Sequence, residues 1–414
     1  MSQFDFNQFL ITSALALGLA NVLGHLFTKV KQPRVMAEIG VGILLGPSLL
    51  GHFYPEWKDW LFPKSLEISF GLLKELGLIL LMFCSGAELR HLDPRHHKKE
   101  CFYGVLLGIG IPAVIGGFIL TLVDVSSLAG SLGDLKKLNS ILILSMAVTS
   151  IPVISRILLD LNLLKTKFAE KVLSIALIED FLLYAFLNAI MSTESGVEVS
   201  SVSIVGHLLV SGAFLSAVIF FRVQLFGFFR TLAKAVTNND SIHLYVTYTL
   251  SVLFLVIWLS GHLGIVSMIS AFCAGMILGS GTSERVEVVI ESIRQLAFSF
   301  FIPFYFIMVG YRIDLQKDLS LRWFFLFFFL SSSLKILGGF LTGRLTQHTR
   351  IQSIALGITL NARGGPGIVI ASAAFDSNII NSTLFTTLII TALATSSLAG
   401  TFLDKNRKIV VDQG

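Results

Sequence analysis

Within the run VLSIALIEDFLLYAFLNAI, Glu179 and Asp180 stand side by side in an otherwise almost wholly apolar stretch. An ionisable side chain deep in a membrane costs at least about 2.5–3.5 kcal/mol on insertion scales, so it marks a functional site by default. The apolar runs hold few others: Lys335 in FFLFFFLSSSLKILGGFLTG, Arg363 in ITLNARGGPGIVIASA, and Glu38 near the start of a run. Consecutive helical residues diverge by about 100°, so the two acids cannot form a tight dyad but can face two sides of one cavity. One can then pair with a cation on another helix while its neighbour stays open to water. Lys335 is the natural partner, because a buried lysine loses its proton readily unless paired. It lies nine residues before Arg344, roughly 13 Å along a helix, too deep to snorkel easily. Burial and a second acid disfavour an ionised carboxylate, and a nearby lysine favours it. A group so balanced can trade a proton for a metal cation near neutral pH. The competing reading is an ion pair that only staples helices, which needs one acid where this chain has two.

Two stretches look broken. SMAVTSIPVISRIL carries Thr149, Ser150 and Pro152 in mid-run, and LNARGGPGIVIA carries Asn361, Arg363, Gly364, Gly365, Pro366 and Gly367. Proline removes a donor and clashes with the preceding turn. Non-helical backbone at membrane depth is tolerated only inside protein or along a water-filled cavity. Transporters use such discontinuous helices at the midplane, where freed carbonyls and half-helix ends meet ions.

The elements that must position these residues are membrane spans. The chain is 54% hydrophobic and 14% charged, with a mean hydropathy of +0.80, against roughly 25% charged residues in soluble domains. A span needs about 20 apolar residues. On that basis thirteen are expected, near 8–28, 35–51, 70–89, 101–123, 139–160, 169–192, 202–221, 242–263, 265–281, 296–313, 323–343, 352–375 and 381–403. The first reads as a retained span rather than a signal peptide. Counting Lys and Arg in the connections puts 21 on one side and 8 on the other. The positive-inside rule then sets the N-terminus outside and the C-terminus in the cytoplasm. Two cations remain within spans, Lys335 and Arg363. His25, His207 and His262 sit near span ends, where interfacial contact accounts for them. Spans 101–123, 139–160 and 169–192 form a triplet with a broken middle member, as do 323–343, 352–375 and 381–403. Equivalent members lie seven spans apart, and an odd offset reverses direction, so the triplets are inverted repeats.

Other classes have little to rest on. No dense basic block with interleaved aromatics points to nucleic acid. Cys84, Cys101 and Cys273 show no C-x-x-C spacing, which argues against a disulfide framework or a zinc site. With no H-E-x-x-H and no G-x-S-x-G motif, no enzymatic activity and no cofactor are expected. Inner runs such as HLDPRHHKKE are ordinary positive-inside loops that can touch lipid headgroups.

Five stretches together resemble bacterial monovalent cation/proton antiporters of the cation:proton antiporter-2 branch of the sodium/proton exchanger superfamily. They are QPRVMAEIGVGILLGPSLLG, LGLILLMFCSGAEL, SIPVISRILLDLNLLKTKFAEKVLSIALIEDF, FFIPFYFIMVGYRIDL and LNARGGPGIVIA, in family order. The resemblance implies an all-α polytopic membrane protein with a transport core, two discontinuous helices crossing at the midplane, and a panel for homodimer contact. By position it makes Asp180 the cation and proton site, and Glu179 the preceding position that pairs with Lys335. Thr149 and Ser150 fall where the first crossing helix unwinds beside the ion, and Arg363 falls in the second, where its charge offsets half-helix carbonyl ends. Pro152, Asn361, Gly364 and Pro366 support the crossings. Relatives carry Asp, Asn or Gln where this chain has Glu179, which leaves the proton stoichiometry open. The expected organisation is scaffold helices at 1–99 and 241–321, a core at 100–195 and 322–404, a linker helix at 196–240 and a short tail at 405–414. The implied activity is exchange of Na⁺ or K⁺ for protons by an elevator-like mechanism in the bacterial inner membrane. The alternative is a gated K⁺ efflux channel without obligatory proton coupling.

Overall fold

The computed structural model describes residues 3–29, 32–88, 97–132, 134–164, 166–191, 242–263, 265–281 and 283–407, with isolated positions between 213 and 231. The expected span 202–221 and linker 196–240, with His207, lie largely outside the described residues. Regular structure among the described residues is helical, apart from a single antiparallel bridge between Ala129 and Ile380. The main helices are α1 (Gln3–Lys29), α2 (Arg34–Leu45), α3 (Glu67–Glu88), α4 (Lys98–Ile111), α5 (Leu135–Ala147), α6 (Ile151–Asp160), α7 (Lys167–Met191) and α8 (Ile242–Gly261). They continue as α9 (Ser267–Gly279), α10 (Glu284–Leu296), α11 (Ile302–Tyr311), α12 (Leu321–Leu345), α13 (Arg350–Leu360), α14 (Gly365–Asp376) and α15 (Ser382–Lys405).

Among the described residues ten helical stretches are long and apolar enough to cross a membrane, which makes the chain a multi-pass membrane protein. The other three of the thirteen expected spans are the short α9, the interrupted pair α5–α6, and 202–221. Two expectations are corrected. The connection before 296 is not a loop: α10 runs through a wide turn at Ala297–Phe301 into α11. Its low hydropathy hides an amphipathic pattern, with Val286, Val289, Ile290 and Ile293 buried on one face. Lys74 and Lys137, two of the eight cations counted on the less basic side, are only 6% and 5% exposed and lie within helices α3 and α5.

The chain divides into two compact units. One comprises Met1–Val22, Glu38–His91 and Ser201–Arg312. Its centre is α9 packed along α3. Gly86 faces the Phe272 carbonyl and Gly275 faces the Phe83 carbonyl so closely that a Cβ on either would strike backbone. Such small-residue seams let membrane helices approach and gain dispersion contacts where no hydrophobic force between helices exists. Arg294 of α10 pairs with Glu88 at 3.0 Å within the same unit.

The other unit comprises Leu23–Ala37, Leu92–Ser200 and Ile313–Gly414. It holds two sets of the same plan: α4, the interrupted α5–α6 and α7; then α12, the interrupted α13–α14 and α15. Three helix starts are capped by side chains of their own segments. Asp134 accepts from the Lys136 and Lys137 amides, Asn381 from the Leu384 amide, and Thr349 with Gln352 forms a reciprocal box at α13. The bridge at Ala129 and Ile380 ties the segment before α5 to the segment before α15. Within this unit α12 packs on α4 and α13, and α7 packs on α4, α5 and α6.

Candidate functional site

The first interruption is Val148-Thr149-Ser150, between α5 and α6. In a continuous helix the Ile151 amide would donate to the Ala147 carbonyl four residues back. Here the Ile151 N–H donates to the Asp180 carboxylate, and the Ala147 carbonyl accepts from Lys335 Nζ at 2.6 Å. Breaking the helix thus sends one donor to an acid and one acceptor to a cation. The charges match the half-helix ends, since an N-terminus favours an anion and a C-terminus a cation. Pro152, in the first turn of α6, lacks the amide that a continuous helix would need there.

Lys335 is wholly buried on α12. Its ammonium lies 2.9 Å from Glu179 Oε2 and 3.3 Å from the Gly108 carbonyl. That carbonyl is available because Pro112 stands four residues on and has no N–H to give, and the helix passes there into a wide turn at Pro112–Gly116. Gly108 also makes room: a Cβ would meet Glu179 Oε1 and lie 3.4 Å from Lys335 Nζ. Gly108 and Pro112 are not singled out by the sequence, although a Gly-x-x-x-Pro spacing inside a span is the signal that would find them. The Thr149 hydroxyl lies 2.5 Å from Glu179 Oε2 and 3.1 Å from the Leu360 carbonyl at the end of α13. With one proton, it donates to one of the two at a time.

The adjacent acids on α7 turn to different partners. Glu179, wholly buried, faces Lys335 and Thr149. Asp180, 3% exposed, faces the start of α6. Asp180 makes no ion pair among the described residues, and its Oδ1 accepts no hydrogen bond there. Ser150 Oγ, Asn361 Oδ1 and Glu179 Oε1 are likewise buried oxygens without a hydrogen-bond partner among the described residues. Among those residues no three His, Cys, Asp or Glu side chains gather as a metal cluster. Oxygens of this kind are hard donors, the class that hard cations take.

The second interruption, 361–364, crosses the first. A Cβ at Gly364 would strike the Val153 side chain and lie 2.9 Å from Ser150 Oγ, and Pro366 enters α14 in its first turn, where its missing amide costs nothing. Arg363 is 2% exposed. Its guanidinium donates to the Met146 carbonyl at 3.1 Å and to Ser331 Oγ at 2.7 Å. Its backbone is held from α15 by Thr395 and Ser396. Lys335 and Arg363 thus both sit on the last carbonyls of α5. Together with Glu179 and Asp180 they form a buried set whose formal charges cancel, and removing either Lys335 or Glu179 leaves the other uncompensated.

At one end of this unit, outside the spans, His348 Nε2 accepts from Lys171 Nζ at 3.0 Å while Nδ1 lies 2.9 Å from Thr346 Oγ1. Burial, and then the Lys171 charge, hold the His348 pKa below the ordinary histidine value.

Residues 11–404 match the family described as sodium/hydrogen exchanger, transmembrane. A "Cation/H(+) antiporter 17" of Arabidopsis thaliana is 28% identical over 92% of this chain and 46% of its own length. The chain thus spans about half the length of that plant relative. An "Na(+)/H(+) antiporter" of Enterococcus hirae is 26% identical over 95% of this chain and 96% of its own. The solved structure of the sodium proton antiporter MjNhaP1 from Methanocaldococcus jannaschii at pH 8 has the same fold, with a TM-score of 0.69 at 13% identity over 98% of this chain and 99% of that one. The chain thus has a known fold, and it belongs to the transmembrane sodium/hydrogen exchanger family.

Proposed function

We propose that this chain exchanges a monovalent cation, Na⁺ or K⁺, for protons, with Asp180 as the shared binding site. The observation that carries this is the division of labour between adjacent acids. Glu179 is committed to Lys335 at 2.9 Å, while Asp180 keeps one carboxylate oxygen without a partner among the described residues. The Ile151 amide supports the anionic carboxylate, a cation neutralises it, and a proton does the same without the cation. The two ligands then exclude each other, which is the coupling an antiporter needs. The antiporter relatives named above support the same reading.

In this reading the unit bearing both crossings carries Asp180 between the two membrane faces in an elevator-like cycle. The other unit supplies the scaffold and the contact to a second copy. The protein works in the cytoplasmic membrane with its N-terminus outside. Lys335 keeps Glu179 neutralised through the cycle, so the charge that alternates is that of Asp180.

The test is purified protein in proteoliposomes with a trapped pH-sensitive dye and imposed gradients of Na⁺, K⁺, Li⁺ or Rb⁺. Exchange predicts proton movement opposite to the cation, and the ion series reads selectivity directly. Cation flux with no proton counterflow would replace the antiporter with a channel.

A further inference from the structure

The unit that does not carry Asp180 contains a cavity of about 630 Å³ bounded by α3, α8, α9 and α10, within the roughly 300–1,000 Å³ of small-ligand sites. Most of the lining is apolar, Phe83, Phe226, Val252, Ile277 and Val289 among it, and Tyr245, Ser283, Glu284 and Arg285 add a polar group at the first turns of α8 and α10. That polar end is built as a unit: Arg285 Nη1 donates to the Tyr245 hydroxyl at 3.2 Å, and its guanidinium lies 5.2 Å from the centre of the Tyr245 ring. Ser283 is the N-cap of α10, with a hydroxyl that makes no cap hydrogen bond to its helix.

An apolar slot with a polar end in a membrane-spanning protein matches an amphiphile, and α8, which forms one wall of it, is little buried among the described residues. The signs at the polar end narrow the headgroup. Arg285 with the Tyr245 and Ser283 hydroxyls suits a phosphodiester, and Glu284 beside them suits a primary ammonium. We propose that this cavity binds one phospholipid with a phosphoethanolamine headgroup, its chain lying against Val252 and Val289. The site belongs to the other unit from Asp180 and does not depend on the transport reading.

The test is lipid retention by the purified full chain. Protein is exchanged into detergent containing dioleoyl phosphatidylethanolamine or dioleoyl phosphatidylglycerol, washed, and analysed by native mass spectrometry. One retained phosphatidylethanolamine per chain is expected. Arg285→Ala weakens it by about tenfold, the loss of one charge-assisted contact, and Val252→Trp fills the slot and abolishes it. Glu284→Gln shifts preference from phosphatidylethanolamine toward phosphatidylglycerol. Equal retention of both lipids by the unsubstituted protein, or unchanged retention in Arg285→Ala, overturns the proposal. So does a change of oligomeric state in Val252→Trp with lipid content unaltered, since a second copy would then be the occupant. If Val252→Trp fails to fold, the rim variants Arg285→Ala and Glu284→Gln decide.

Discussion

Removing Lys335 should be among the most damaging single changes in the unit that carries it, and the geometry sets the size. Its ammonium and the Glu179 carboxylate are both fully buried at 2.9 Å, and the ammonium also holds the Ala147 and Gly108 carbonyls. Deleting one member of a buried pair costs about 3–5 kcal/mol, because the other charge is left uncompensated. Lys335→Met strands Glu179 with the Thr149 hydroxyl alone, and Glu179→Leu strands Lys335 on two carbonyls. The double variant strands neither charge, since apolar groups of similar volume replace a buried pair at little cost. At about 2 °C per kcal/mol for a unit of this size, each single variant should lower the unfolding midpoint by roughly 6–10 °C. The double variant should lose no more than either single, a coupling of about 3 kcal/mol. Intrinsic fluorescence during heating, in one detergent and at one scan rate, reads all four proteins. Additive losses, within about 0.5 kcal/mol, would show that the two side chains do not act as a pair.

Two further outcomes rest on local geometry. Gly108→Ala places a Cβ on Glu179 Oε1, so it should destabilise by about 1–3 kcal/mol and slow exchange in proteoliposomes. Gly110→Ala, whose Cβ meets nothing within 4 Å, should do neither, and equal behaviour of the two would refute the crowding argument. His348 binds its proton less readily in the folded chain than in the unfolded one, so stability rises with pH toward about 6.5 and is lost as pH falls below it. His348→Gln should flatten that acid-side loss in melts from pH 5 to 8, and an unchanged slope would place the titration elsewhere.

Much of this site is legible in the sequence because the bilayer makes charge rare. Glu179, Asp180, Lys335 and Arg363 stand out against runs that otherwise carry charge only near their ends, and Pro152 and Gly364–Gly367 mark both interruptions. Partnership is a different matter. Lys335 and Glu179 are 156 positions apart, and their pairing is legible from the scarcity of buried charge rather than from spacing, whereas the contact of Arg363 with the Met146 carbonyl 217 positions away has no signal in the sequence. Gly108 and Pro112 are hidden because their contribution is a backbone carbonyl and an absent side chain, neither of which has a composition signal. Lys137 reads as an outer residue because the expected span 139–160 begins beside it, and Lys74 because it falls near the start of 70–89, yet helix packing buries both. The α10 helix was obscured by its charges, although its buried residues recur at helical spacing.

Asp180 carries the central claim, and one substitution reaches it. Asp180→Asn keeps the side-chain shape and still accepts from the Ile151 amide, but it can neither ionise nor balance a cation. In proteoliposomes with an imposed Na⁺ or K⁺ gradient, and with unfolding behaviour close to that of the unsubstituted protein, cation-dependent proton movement should vanish. Preserved exchange in Asp180→Asn would contradict the assignment.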